Sequence, residues 1–475
     1  MKNEDIFKLQ IGRFFVVPYR LIFRGNITLP WLVGLIGFMW TSIAVCLVIC
    51  LLNITSPIII ILISGMMVTN ITYISQIATY MHEFDVNALA LLLSVLAVWL
   101  WNKGLKVGNI IWGTVCLIVS LGIYQAYITV TMVLVLWILI TRLLENGKVK
   151  DTLKKGLDAF VMLLASGLVY FVVGKVIYAI TDTDAMSRTT VYLFKNGKFL
   201  LPYYLKLIIP GLKLLAQTIV HAAYPRPVLC VLLAMVLIIL GASLGYTLIK
   251  KPLGWKHLGV IGGLTVLLPF VMCAIFFLAR GRDVHDLMWY SAWFFYIFIL
   301  LLAFWTRKQE VVSKKVENWV CIISCVLVIF VLAQNVILAN TAYMKKTIEA
   351  NSTLSTMTRV VAQMEGQEEY VVGETPVAFV GVGEVYETLP GFQKVGCIKG
   401  LATNMSVSQD TSLYYYNAYK AYFDFVLNYP IVFVDDEMHA QLKENKEVQA
   451  LPSFPQKDCM KMIDGVLVVK MGNDN

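Results

Sequence analysis

Along the first 340 residues, apolar runs long enough to cross a bilayer alternate with short polar or basic connections. The runs cover 31–52, 56–72, 86–101, 108–123, 126–143, 158–180, 228–249, 257–279, 287–305 and 319–339. They predict about ten spanning helices, because backbone exposed to lipid must satisfy its own hydrogen bonds and the dyad alternation of an outer-membrane barrel is absent. The shorter runs predict upright helices or a locally thinned bilayer. One further run, "LPYYLKLIIPGLKLLAQTIV" at 201–220, interleaves lysines with its apolar residues and reads as a helix lying in the interface.

Beyond residue 340 the pattern changes. An amphipathic stretch at 343–364 is followed by short strand-like runs at 377–382, 431–434 and 466–469 and by the aromatic helical run "LYYYNAYKAYFDFVLN". These predict a small C-terminal α/β domain over 341–475, after a segment 1–30 and a helix bundle over 31–340 that carries a long loop at 181–227. The fold class is therefore an all-α polytopic membrane bundle with an α/β appendage.

Composition agrees: 59% of residues are hydrophobic, 15% are charged and the mean hydropathy is +0.73, which excludes an ordinary soluble domain. The net charge of +9 is spread over loops, so it points to membrane orientation and contact with anionic membrane lipids, and nucleic acid is not expected as a partner. Seven of the nine cysteines fall within apolar runs, where they read as small hydrophobes; spacing does not decide whether Cys397 and Cys459 pair.

Basic residues orient the spans. Lys148, Lys150, Lys154 and Lys155 crowd one connection, Lys250, Lys251 and Lys256 a second, and Arg307, Lys308, Lys314 and Lys315 a third, which predicts that these face the cytoplasm. Alternation then puts residues 1–30, 181–227, 280–286 and everything after 340 outside, in a multi-pass protein of the cell membrane. The segment 1–30 conflicts with the rule, since Lys2, Lys8, Arg13, Arg20 and Arg24 would favour the cytoplasmic side.

Polar residues at the expected outer ends are the candidates for chemistry. His82, Glu83 and Asp85 precede the run at 86–101; Asp85 reads as an N-cap or as a carboxylate at a cleft rim, with His82 and Glu83 as substrate contacts. Tyr124 and Gln125 mark an outer turn, Tyr124 as an interface anchor or sugar contact and Gln125 as a cleft group. Arg280, Arg282, Asp283 and His285 share one short outer loop, and Arg188 lies in the long one; cations held there suit a phosphate of a lipid-linked donor or ordinary anionic head groups. The Asp-x-Asp spacing in "TDTD" at 181–184 is a lone motif, and neither a metal nor a cofactor is expected. "VDDEMH" around Asp435 reads as a helix start.

Four stretches taken together carry a resemblance: "GRFFVVPYRLIFRGNITLPWL", "YISQIATYMHEFDVNALALLLSVLAVWL", "SLGIYQAYITV" and "VHDLMWYSAWFFYIF". In order and spacing they resemble the glucosyl transferase II membrane family, over most of residues 3–340. The resemblance implies a GT-C-type, inverting, metal-independent hexosyltransferase that moves glucose from a polyprenyl-phosphate sugar to a surface glycan, as in bacterial O-antigen modification. It also implies a catalytic acid in the first outer loop, and the matching positions are Glu4 and Asp5, with Arg13 as a phosphate or sugar contact. In that family a helix precedes the loop; none is seen here, so a missing first span and an inactive paralogue stay open. A transporter or flippase of lipid-linked sugars is the rival from another class, although the runs are nearly free of charge and show no internal repeat.

Overall fold

The computed structural model describes residues 3–25, 28–104, 107–183, 194–195, 198–199, 201–251, 253–281, 284–311, 313–381, 395–398, 419–420 and 422–472, with backbone alone at 3, 4, 194, 195, 198, 199 and 201. The chain divides into two compact units, Met1–Ala339 with Gly396–Gly400, and Asn340–Val395 with Leu401–Asn475.

The first unit is helical. Two short helices, α1 (Asn3–Gln10) and α2 (Val16–Phe23), precede α3 (Pro30–Leu51), α4 (Pro57–Thr69), α5 (Ile71–Tyr80), α6 (Phe84–Asn102), α7 (Val107–Ile123), α8 (Ile128–Leu144) and α9 (Val149–Thr181). A two-residue hairpin of β1 (Phe194–Lys195) and β2 (Lys198–Phe199) follows, then α10 (Leu201–Ile219), α11 (Arg226–Lys250), α12 (Trp255–Met272), α13 (Ala274–Leu278), α14 (Phe294–Lys308) and α15 (Lys314–Glu365). Proline opens both α3 and α4, where its fixed φ suits the first turn and its missing N–H leaves nothing unpaired.

Among the described residues eight segments are long and apolar enough to cross a membrane, and Val107–Ile123 is a shorter apolar helix. One of the eight, Pro57–Asn102, is interrupted: Asn70 caps α5 by accepting from the Tyr73 N–H at 3.1 Å, and a 3₁₀ turn at Met81–Glu83 reverses the chain before α6. Counting its two arms and the short helix separately gives the ten passes read from hydropathy.

Two runs differ from a plain helix. Residues 257–279 split at Cys273 into α12 and α13, just past Pro269, which cannot donate to the preceding turn. Residues 287–305 begin as two 3₁₀ turns, Asp286–Met288 and Tyr290–Trp293, before α14. The last span also outruns its apolar stretch: α15 continues unbroken from Lys314 to Glu365, because the amphipathic sequence after 340 holds no proline or glycine before Gly366.

Small and hydroxylated residues let the spans approach closely. Gly37 faces the Phe84 ring, Ser94 and Ser120 share a bond of 2.8 Å between α6 and α7, and Thr131 of α8 donates to the Ser94 carbonyl at 2.9 Å. Phe160, Leu164 and Phe171 of α9 and Val231 and Ile238 of α11 are exposed, as lipid-facing helices require.

Hydrogen bonds gather the loops into two sets. At one end Lys155 donates to Asn102, His257 Nε2 meets the Gly147 carbonyl at 3.2 Å, and Lys251 donates to the Gln309 carbonyl at 2.6 Å. At the other, Gln125 donates to the Ile11 carbonyl at 3.0 Å, Thr72 to the Asp286 carbonyl at 2.8 Å, and Tyr203 to the Arg280 carbonyl at 2.6 Å. The basic connections thus share one end, and the connections expected to oppose them share the other.

In the second unit four strands, β3 (Pro376–Val380), β4 (Val432–Phe433), β5 (Met460–Ile463) and β6 (Val466–Lys470), form a sheet in the order β4-β3-β6-β5. β3 runs parallel to both β4 and β6, and β5 is antiparallel to β6. Both faces are covered, which is why β6 reads as a continuous apolar run. Val377, Phe379, Leu467 and Val469 pack on Met357, Val360 and Met364 of α15. Ala378, Val380 and Val468 pack on Leu442 of α16 (Asp436–Glu444) and Val448 of α17 (Lys446–Ala450). Asp435 caps α16 as its sequence predicts, accepting from the Met438 N–H at 2.8 Å. β5 was absent from the apolar reading, yet Asp464-Gly465, both at positive φ, is a hairpin signal between two apolar runs. Residues 413–418 and 421 of the aromatic run lie outside the described residues; its end, Phe423–Leu427, is a single π-helical turn. Cys397 and Cys459 are both free thiols.

Candidate functional site

The N-terminal segment is amphipathic, and its buried face is Leu9, Phe14, Val16 and Tyr19. Its path is fixed by backbone contacts. Gly12 adopts φ +77°, and a Cβ there would stand 2.4 Å from the Tyr170 hydroxyl, so only glycine fits. Gln125 Nε2 donates to the Ile11 carbonyl at 3.0 Å and to the Tyr170 hydroxyl at 2.9 Å, and Tyr170 donates in turn to the Gly12 carbonyl at 3.0 Å. The Phe15 N–H donates to the Gly122 carbonyl at 2.9 Å, with the Phe15 ring lying over the bare Gly122 Cα.

That last contact makes a test of the docking. A Cβ at residue 122 would sit 2.3 Å from the Phe15 ring. Gly122→Ala is expected to destabilise by about 1–3 kcal/mol, since the ring must leave its rotamer or the segment must shift. A lower unfolding midpoint in detergent is the expected readout; an unchanged midpoint would show that the segment accommodates the methyl freely.

Docked in this way, the segment brings its cations onto acids far away in sequence. Glu83, 1% exposed, pairs with Lys8 and with Arg13, whose Nη1 is 3.0 Å from Oε2. Arg13 also stacks over Tyr124, 4.7 Å from the ring centroid. Arg24 approaches Asp85 Oδ2 at 3.3 Å and donates to the His82 carbonyl at 2.6 Å. Asp5, 15% exposed, pairs with Arg20. Four of the five basic residues that conflict with the positive-inside rule are therefore matched to carboxylates at their own end.

Several expectations meet different geometry. Asp85 is wholly buried inside the first turn of α6 and is not its cap; the cap position is Glu83, whose carboxylate is held by the two cations instead. Tyr124 does turn the chain between α7 and α8, but it is buried beneath Arg13 rather than anchored in the interface, because the N-terminal segment covers that end of the bundle. Gln125 faces the N-terminal segment. The His82 ring is 43% exposed and reaches toward Glu83 at 3.8 Å. The backbone of Glu4 lies in α1, and its side chain is outside what is described.

A second polar centre was not expected. Asp286, buried, bonds through Oδ2 to His221 Nε2 at 3.1 Å, while the Ala223 N–H points at Nδ1 at 3.1 Å. A backbone donor on Nδ1 leaves the ring proton on Nε2, directed at the carboxylate. Burial works against a charged ring and the Asp286 carboxylate and Cys397 sulfur favour one, but the Ala223 N–H leaves no place for a second ring proton, so the geometry holds the neutral tautomer. Trp293 Nε1 donates to Thr72 at 3.1 Å, and Tyr224 donates to Asn335 at 2.6 Å beside the pair. The one available signal was a lone histidine and a lone aspartate, each in a loop next to aromatic residues.

Of the outer cations, Arg280 adopts φ 57° and offers its carbonyl to Tyr203, and His285 stands at the entry to the 3₁₀ turn that carries Asp286. Arg188, Arg282 and Asp283 lie outside the described residues, as does Asp184 of the Asp-x-Asp motif; Asp182 is the left-handed C-cap of α9. Among the described residues no three His, Cys, Asp or Glu side chains gather in a way that could hold a metal ion.

The family model described as "Glucosyl transferase GtrII" matches residues 1–296. That range is more than half of the chain and contains the first polar centre and the His221–Asp286 pair of the second. No curated protein and no solved structure matches.

Proposed function

The chain belongs to the glucosyl transferase GtrII family, and from that premise we propose that it takes a glucosyl group from a polyprenyl-phosphate donor and places it on a surface glycan at the extracytoplasmic face of the cell membrane. As a member of this family it is a membrane glycosyltransferase with a sugar donor and a glycan acceptor. The observation that carries the finer reading is the centre of paired cations and carboxylates built from the N-terminal segment and residues 82–85, at the end of the bundle opposite the basic loops.

The chemistry needs such a centre. In a GT-C-type transfer the bond from the anomeric carbon to the phosphate oxygen breaks, a bond to the acceptor oxygen forms, and the acceptor proton goes to a carboxylate within hydrogen-bond reach. The phosphate leaves with its charge already in place, so it requires cations or donors more than a general acid. Asp5 is a part-exposed carboxylate of the N-terminal segment, oriented by its pair with Arg20; we assign it the role of base, with Glu4 beside it in α1. Arg13 and the loop cations Arg280 and His285, with Arg188 and Arg282, are assigned to the donor phosphate and its sugar. Asp85 and Glu83 hold the N-terminal segment in place through Arg24, Lys8 and Arg13. The C-terminal unit is assigned to the same extracytoplasmic side.

The test uses membranes containing the full chain and polyprenyl-phosphate glucose labelled in the sugar. Label is expected in the surface polymer. Label that crosses the bilayer without being transferred would replace this reading with a transporter. Sidedness is read separately, with Lys2→Cys in a cysteine-free background and an impermeant maleimide on intact cells: labelling from outside is expected, and protection until lysis would put the centre on the wrong side for such a donor.

A further inference from the structure

Buried polar atoms without partners are concentrated at one corner of the bundle. Of the residues that bury a side-chain nitrogen or oxygen with no hydrogen-bond partner among the described residues, Ser75, Gln76, Asn87 and Tyr124 are uncharged members of the group around Glu83. Each is at most 4% exposed. An orphaned buried polar atom costs about 1–3 kcal/mol, so a set of them in one place calls for something that binds there.

Contacts and helix register place these residues near one another. Tyr127 donates its hydroxyl to Gln76 Oε1 at 3.1 Å, which leaves the Gln76 Nε2 donors unused, and the Tyr127 and Tyr124 rings meet at 5.5 Å. Ser120 of α7 bonds to both Ser94 and the Ala90 carbonyl of α6, each at 2.8 Å, setting the two helices antiparallel. One turn back along α6 and one turn on along α7 therefore bring Asn87 to the end of α7, where Tyr124 stands. Asn87 is itself one turn past Glu83, which lies within electrostatic reach of Tyr124.

We propose that Gln76, Asn87 and Tyr124 form the subsite that binds hydroxyls of the transferred hexose. The free groups are a pair of amide N–H donors on Gln76, a carbonyl acceptor on Asn87, and a Tyr124 hydroxyl able to do either. That mixture suits a neutral polyol, whose every hydroxyl both donates and accepts. A phosphate, an acceptor only, would be repelled by the Asn87 carbonyl. These atoms are shielded from solvent, and Arg13, stacked on Tyr124 and 16% exposed, lies between them and the surface as the side chain a sugar would meet first. The inference rests on the glucosyl-donor reading above and adds which residues select the sugar.

The experiment compares the unaltered full chain with Tyr124→Phe, Gln76→Met and Asn87→Leu, using polyprenyl-phosphate glucose and donors lacking one sugar hydroxyl. Tyr124→Phe removes only an atom that has no partner, so its unfolding midpoint is expected to stay level or rise; Gln76→Met also takes the acceptor from the Tyr127 hydroxyl and Asn87→Leu the amide nitrogen, so these two are read by donor preference alone. For each variant kcat/KM for the glucose donor is expected to fall on the order of 10- to 100-fold, with discrimination against one particular deoxy donor lost in each case. A purely structural role predicts the reverse: a lower midpoint and an unchanged preference among donors, which overturns the proposal. Should the unaltered chain transfer nothing, the donor reading fails by itself, and the subsite is judged by thermal protection in high glucose. Protection in the unaltered chain that is missing in the variants sustains it, and no protection overturns it.

Discussion

Replacing Glu83 by Ala is expected to unfold a large part of the N-terminal docking, at a cost of about 3–5 kcal/mol, the usual penalty for removing one partner of a buried charge pair. Two cations are stranded at once: Lys8 and Arg13, with side chains 7% and 16% exposed, both end on this carboxylate. The magnitude comes mainly from the uncompensated charges left behind. It follows that Glu83→Leu combined with Lys8→Met should recover only the part of the loss that belongs to Lys8, because the apolar pair has no desolvation penalty to offset while Arg13 stays without its carboxylate. Urea or thermal unfolding in a fixed detergent measures both, and a double-mutant cycle isolates the coupling. If Glu83→Ala unfolds like the unaltered chain, the carboxylate does not anchor the segment, and its two cations must be solvated.

Asp5→Asn should act on rate while sparing stability. Loss of a positioned general base costs about 10²–10⁴-fold in turnover. The ion pair with Arg20 is mostly buried, 15% and 12% exposed, but Asn keeps an oxygen for the guanidinium, so the effect on stability is expected to be small beside the effect on rate. The expected result is a folded protein with an unchanged midpoint, normal donor affinity and transfer reduced by at least a hundredfold, measured as labelled glucose reaching polymer. Asn keeps the size of Asp and one oxygen for Arg20, so a drop in rate reports the missing base rather than a lost cavity filler. Full activity in Asp5→Asn, in Glu4→Gln and in the double variant would remove α1 from the chemistry and turn attention to Asp85.

The contrast between these two acids shows what a sequence can and cannot rank. Asp5 and Glu83 are both carboxylates near the start of a helix and beside aromatic residues, with nothing local to separate them. The fold makes Glu83 a fully buried anchor for two cations and leaves Asp5 part-exposed with Arg20. Asp286 makes the same point from the other side. Its neighbour His285 stood out as part of a charged loop, whereas Asp286 gains its meaning only from His221, 65 residues earlier in the chain.

Elements set by local sequence were legible. The spans follow from runs of apolar side chains, the turn at Tyr124 from two polar residues between such runs, and the start of α16 from Asp435 three residues before an N–H that needs an acceptor. Where the sequence reading differed, a nonlocal partner decided. Asp85 looked like a cap and is instead drawn to Arg24; Tyr124 looked like an interface anchor and is covered by Arg13.

By itself the sequence determined that this is a polytopic helical membrane protein, which loops share a side, and that its order of motifs is that of a glucosyl transferase. Transfer of each side chain from water to lipid is a local free energy that adds up along the chain, so hydropathy carries it. The tertiary structure alone decided which charges neutralise one another and which polar atoms are left without partners. A buried ion pair depends on the distance between groups as much as 75 residues apart, as Lys8 and Glu83 are, and on the desolvation of both. Neither quantity exists until the helices have packed.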